Sequence, residues 1–154
     1  MTRKQQRQAD FDKAWHGVIA QGGPGVMFND WQRRAVPCYQ ADNGDRCGVG
    51  HVLGDAAATW SEGDVGDVLQ PYEHMQKETD DGEHVNYDET PGWYRRLMPR
   101  HIHDDIKFYD RLQWAHDAGV IGGIDRNDFI KMFKEQMTRM AVEYDLQVPP
   151  VTQE

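Results

Sequence analysis

Phe11, Trp15, Val18 and Ile19 recur at helical spacing among arginines, lysines and glutamines, which predicts an amphipathic helix over Gln5–Ala20. Gly22-Gly23-Pro24-Gly25 stops it. Met27–Arg34 reads as a linker or a short turn of helix anchored by Phe28 and Trp31. Ala35–Ala41 then reads as a strand, Asp42-Asn43-Gly44-Asp45 as a turn, and Arg46–Leu53 as the return strand. Asn-Gly favours a two-residue type I′ turn because both central residues need positive φ. Pro37 confines the first strand to an edge or to its own start. Gly48 and Gly50 weaken the second strand, and the chain bends or turns helical near them.

Two further helices close the chain. Asp104 or Asp105 caps one that runs to about Ala118, with Tyr109, Leu112 and His116 on one face and Phe108 and Ala115 beside them. Gly119 and Gly122-Gly123 break it. Asp125 caps the last helix, and Asp128 falls in its first turn, where a negative charge is favourable. Phe129, Phe133, Met137, Met140 and Tyr144 make a stripe at spacings of four, four, three and four, the clearest periodicity in the chain. Pro149-Pro150 ends the order, so residues 147–154 read as a disordered tail. These elements predict one α+β domain over residues 1–154: a short β-hairpin or small antiparallel sheet packed by about three helices.

Charge changes this picture in one place. The net charge of −9 is concentrated between Asp55 and Pro91, where eleven acids face a single base, Lys77. The rest holds fifteen acids and sixteen bases. Residues 55–91 therefore read as a long acidic insertion in a balanced domain. In the simplest reading it is solvated and mobile. It could also imitate nucleic acid and occupy a host protein's basic groove, or close as a lid over a ligand. For such a partner-binding surface the candidates are Trp60, Glu62, Asp64, Asp67, Asp80, Asp81 and Glu83, with Tyr72, Tyr87 and Trp93 as further anchors. No global basic excess favours direct nucleic-acid binding. No apolar run is long enough to span a bilayer, and no apolar segment follows the charged N-terminus as in a secretory signal. Two cysteines make no disulfide framework and fit a reducing cytoplasm.

Candidate chemistry falls into three sets. His103-Asp104 and His116-Asp117 resemble the pairs that hold metal in phosphohydrolases, so a metal-dependent hydrolase is one alternative. Cys38 and Cys47 share one face of the predicted hairpin. If Asp42 faces Asp45 and Gln40 faces Cys47, the two cysteines are diagonal neighbours, roughly 7–8 Å apart. That is too far for a disulfide but suits two ligands of one metal. With His51 and His116 they would make a structural zinc site, a second alternative. The plainer reading is two buried thiols that pack the core, with no cofactor. Arg95, Arg96 and Arg100 form a basic cluster that could bind an anion, lie solvated, or pair with the acidic segment beside it. Other catalytic patterns fail. Ser61, the only serine, lacks a nucleophile-elbow context. The Gly22–Gly25 run lacks the Lys-Ser/Thr of a phosphate loop. Glu62, Asp64 and Asp67 do not match an EF-hand.

Cys38-Tyr39, Gly44 and Arg46-Cys47-Gly48-Val49-Gly50 together resemble a cysteine-framed hairpin found in a group of small uncharacterised proteins of bacteriophages and prophages. Phe108–Asp117 is similar to that group's Phe-Leu-x-x-Leu-Gln-x-x-His-Asp helix, and Met140–Leu146 to its last helix. The acidic segment lies outside the resemblance, and Tyr109 and His51 depart from the pattern. The resemblance implies a phage-type accessory protein in the host cytoplasm, and it implies no reaction. The expected function is therefore a non-enzymatic binding or inhibitor module for a host protein or a small anionic ligand, active against host defence.

Overall fold

The structure, a computed structural model, describes residues 1–29, 34–41, 43–54, 86–121 and 126–150. Helix α1 spans Arg3–Gln21. Thr2 starts it with a capping box: its side chain accepts from the Gln5 N–H, while the Gln5 side chain accepts from the Thr2 N–H. Gly22 ends it in the left-handed conformation at φ 75°. Strands β1 (Val26–Asn29) and β2 (Arg34–Pro37) pair antiparallel, Val26 opposite Pro37. Then follow α2 (Gly48–Leu53), a 3-10 turn at Tyr87–Glu89, α3 (Gly92–Leu97), α4 (Arg100–His103), α5 (Ile106–Ile121) and α6 (Arg126–Tyr144).

The expected α+β architecture is overturned: the chain is a helical domain. Among the described residues the only strand pairing is the four-residue ribbon β1–β2, and helices build the core. The expected hairpin over Cys38–Leu53 does not form. A turn forms there, but not the expected type I′ one: Gly44 has φ 89°, while Asn43 is not among the described residues with positive φ. The Gly44 N–H bonds the Ala41 carbonyl, and the Asn43 Oδ1 accepts from the Asp45 N–H at 2.9 Å. The expected return strand is instead α2, for which Cys47 is the N-cap, its Sγ accepting from the Gly50 N–H at 3.3 Å. A Cβ on Gly50 would stand 2.1 Å from the Tyr39 carbonyl oxygen, and one on Gly48 would meet Leu112 and Ala14. Gly50 lets the helix lie against the preceding loop, while the contacts at Gly48 are of ordinary van der Waals length. The register also differs: the Cys47 N–H bonds the Cys38 carbonyl, and the Ala41 N–H bonds the Asp45 carbonyl. Strand pairing falls earlier in the chain, partly within the predicted linker.

The three long helices match the predicted ones closely. Phe129, Phe133, Met137 and Met140 are buried along α6, and Phe108, Tyr109, Leu112, Ala115 and His116 along α5. Phe11, Ala14, Trp15 and Val18 complete the core from α1. Arg7 ties the three together. Its guanidinium makes a bidentate pair with Asp105 at 2.6 and 2.7 Å and lies over the rings of Phe108 and Tyr144. Beyond α6, Gln147 exchanges hydrogen bonds with Gln8, both at 2.9 Å, and residues 151–154 of the expected tail lie outside the described residues. No helix among the described residues is long and apolar enough to cross a membrane.

Candidate functional site

The two His-Asp pairs do not come together. His103 is buried where α4 meets the aromatic residues Tyr87 and Tyr94, at ring distances of 5.1 and 6.0 Å, and Asp104 is exposed at the end of the same helix. His116 lies toward the other end of α5, against Phe129 at 5.3 Å. Its Nε2 accepts from the Gly25 N–H at 2.9 Å, so its proton sits on Nδ1, which donates to Asp117 at 2.8 Å. Both ring nitrogens are thus engaged, Nε2 by the backbone just before β1 and Nδ1 by the next residue of α5.

The same bonds correct the proposed zinc set. Cys38, Cys47, His51 and His116 are all near this junction, yet no group of three histidine, cysteine or acidic side chains among the described residues is placed to hold a metal. His51 donates from Nε2 to the Gln21 Oε1 at 2.9 Å. Burial, and then the nearby Arg46, push its pKa down to about 4. Burial raises the Cys47 thiol pKa far above its ordinary value, so it stays a neutral cap. Gln21 was not foreseen. Its amide bonds the Gly23 and Arg46 carbonyls, the Arg46 N–H and His51, locking α1 to the loop before α2.

The arginine cluster is largely engaged within the fold. Arg95 bonds the carbonyls of Asp88 and Thr90. Arg100 pairs with Asp88 at 2.6 Å and lies over the Tyr87 ring. Asp88 belongs to the acidic stretch, so the sequence neighbours do pair at this point. Arg96 is exposed. Trp60, Glu62, Asp64, Asp67, Asp80, Asp81 and Glu83 lie outside the described residues.

A different site emerges where the start of α1 faces α4 and the start of α5. Asp10 is 1% exposed. Its Oδ2 accepts from the Tyr109 hydroxyl, from Gln6 at 3.1 Å and from His101 Nε2 at 3.0 Å. Burial alone would raise this carboxyl's pKa, but the bonds from His101, Tyr109 and Gln6 outweigh it and leave the pKa below the ordinary aspartate value. An ionised carboxylate only accepts, so His101 carries its proton on Nε2. Its Nδ1 has no hydrogen-bond partner among the described residues, and the side chain is 39% exposed. Beside it opens a cleft of about 400 Å³, lined in part by Arg3, Arg100, His101, Asp104 and Tyr109. Asp105 also borders it, but Arg7 neutralises that carboxylate.

Short helices position His101. Pro91 and Pro99 stand at the N-caps of α3 and α4, where no backbone donor is required. Met98 and Ile102 anchor the segment in the core, which turns His101 toward α1. The signal for this site was present in the sequence. Asp10 shares its helical face with Ala14 and Val18, so a carboxylate interrupts an apolar stripe and demands a partner. Which partner could not be read, because His101 is 91 residues away.

No protein-family model, curated protein or solved structure matches this chain.

Proposed function

We propose that this protein is a non-enzymatic binding module whose ligand site is the His101 cleft, and that its ligand is a small anion. The observation that carries this reading is the imidazole held at the cleft by a buried carboxylate, with Arg3 and Arg100 on the same lining. Asp10 fixes the ring and is itself withdrawn from solvent, and the guanidinium of Arg3, with that of Arg100 beside its partner Asp88, lines the cleft where an oxyanion would sit. The resemblance of the Cys38–Gly50 stretch to small phage and prophage proteins supports an accessory role in the host cytoplasm, with a host-defence metabolite or signal withheld by binding.

Calorimetric titration with inorganic phosphate and small carboxylates tests it. Saturable binding is expected, weakened at least about tenfold in His101→Ala, which removes a side chain that lines the cleft. Binding unaffected by that change, or no saturable binding of any compact oxyanion, would remove the reading.

A second reading takes a host protein as partner, through the acidic segment and Trp93. The indole is 52% exposed on α3, directly after that segment. Pull-down from host lysate with the full chain and with residues 55–85 deleted tests it. The deletion stops at 85 because Tyr87, Asp88 and Thr90 pack and bond onto α3 and α4. A stoichiometric partner retained by the deletion would sink the acidic-surface reading.

A further inference from the structure

We propose that His101 is a phosphoryl-accepting residue, with Nδ1 as its nucleophile and a small energy-rich phosphoryl compound, an acyl phosphate or a phosphoramidate, as the donor. The inference rests on the reading that the cleft admits an oxyanion. A histidine nucleophile needs a lone pair on the nitrogen that meets the substrate, a fixed ring, and an anionic group behind the ring to stabilise the charge that develops. Each need is met by a named residue. The Asp10 carboxylate is nearly inaccessible and accepts from Nε2–H, so the neutral ring carries its lone pair on Nδ1. Tyr109 and Gln6 hold the same carboxylate oxygen, and the Tyr109 ring lies edge-on to the imidazole at 5.9 Å, so the ring cannot swing freely. The cleft admits a phosphoryl group, and Arg3 and Arg100 line it.

In the reaction the Nδ1 lone pair forms the N–P bond. With an acyl phosphate, the P–O bond to the acyl group breaks, and its electron pair leaves with the carboxylate. With phosphoramidate, the P–N bond breaks and the nitrogen leaves as ammonia, taking its proton from solvent. No electrons are exchanged with a redox partner. The ring keeps its proton on Nε2, and Asp10 balances the positive charge that spreads over the ring as the bond forms. His116 could not act in this way. It is fully buried, and both of its nitrogens are engaged by Gly25 and Asp117.

The full chain is incubated with acetyl phosphate, and separately with phosphoramidate, and followed by intact mass and phosphorus NMR. One phosphoryl group per chain is expected, stable in alkali, lost in acid, and mapped to His101 by fragmentation. His101→Gln abolishes it. Asp10→Asn slows labelling about tenfold or more, since it removes the negative charge behind the ring but keeps a hydrogen-bonding group. Circular dichroism of both variants checks their folding, and mapping on the unaltered chain needs no variant at all. A label on exposed His16, a label undiminished in His101→Gln, or none with either donor would overturn the inference. Phosphate that binds at His101 without ever labelling it would end this inference but leave the proposed binding function standing. Labelling of His101 without measurable phosphate binding would do the reverse.

Discussion

A carboxylate that is 1% exposed persists in a protein interior only when its hydrogen bonds replace those it loses from water. Asp10 meets this through Oδ2, which accepts three bonds, while its buried Oδ1 has no hydrogen-bond partner among the described residues and lies 4.0 Å from the Lys13 Nζ. Its neighbours set two expectations. Asp10→Ala leaves the Tyr109 hydroxyl buried without its acceptor and should cost about 2–4 kcal/mol in chemical denaturation. The folded-state pKa of Asp10 lies below its ordinary 3.8. Its ionised form therefore stabilises the fold above that value, and the contribution is lost as pH falls through the lower, folded-state pKa. His51 acts in the same direction by another route. Its pKa is pushed down to about 4 from 6.5, so the fold holds the neutral ring and the unfolded chain takes the proton first. Stability should fall as pH drops from 6.5 toward 4, by an amount on the order of 2–3 kcal/mol, and His51→Gln should flatten that part of the profile. Urea denaturation midpoints from pH 6.5 to below the ordinary aspartate value of 3.8 measure both effects. An unchanged slope in His51→Gln would show that the ring titrates alike in both states.

Helix α2 shows how an element can be decided by what it must lie against. Its sequence, Gly-Val-Gly-His-Val-Leu, has poor helix propensity at two of six positions and β-branched residues at two more. Isolated, it would favour neither state. In the fold, Gly50 passes the Tyr39 carbonyl so closely that no side chain fits. Gly50→Ala should therefore cost more than about 3 kcal/mol, because the opposing atom is backbone and cannot rotate away. The thermal midpoint of that variant is the measurement, and a shift no larger than that of Gly54→Ala, where a Cβ meets nothing within 4 Å but φ is positive, would contradict the packing account. The cysteine at the start of α2 gives a contrasting expectation. Cys47 serves as a thiol cap, so Cys47→Ser should be near neutral, within about 1 kcal/mol, and a chelator should leave the melting temperature unchanged. A chelator-induced drop would restore the metal reading. A turn at Asn43-Gly44 and the positive φ of Gly44 were legible, but the expected type I′ geometry was not borne out, since Asn43 is not among the described residues with positive φ. The helix after it was legible only as a bend or helical turn near Gly48 and Gly50, because the close approach of Gly50 to the Tyr39 carbonyl is encoded by no local pattern.

At the scale of the molecule, α1, α5 and α6 enclose one core in which Phe133, Met137 and Leu112 are fully buried. Phe133 stacks near Phe129 and Trp15, so Phe133→Ala opens a cavity among rings that cannot all collapse into it. A loss of about 3–5 kcal/mol is expected in equilibrium unfolding. Arg7→Met tests the clamp at the other end of the bundle. It keeps much of the stem packing but leaves Asp105 without its bidentate partner, for a cost of about 1–3 kcal/mol. If Arg7 only decorated the surface, the variant would unfold at the same denaturant concentration. The clamp also borders the His101 cleft, so the groups that join the helices are next to those that would meet a ligand.

By itself the sequence determined the three long helices and their buried faces, because a period of 3.6 residues repeats often enough to outweigh local ambiguity. It also determined where the charge lies, and the positive φ of Gly44 in a turn, a local backbone need, though not that turn's type. Tertiary structure alone decided the rest. It turned the second half of the expected hairpin into a helix, moved strand pairing to Val26–Asn29 and Arg34–Pro37, and separated His103-Asp104 from His116-Asp117. It also joined Asp10 to His101 across 91 residues. The physical reason is common to all four. Each depends on which surfaces meet, and contacts between distant residues leave at most an unmet need in the sequence, such as a carboxylate on an apolar stripe, without naming the residue that meets it.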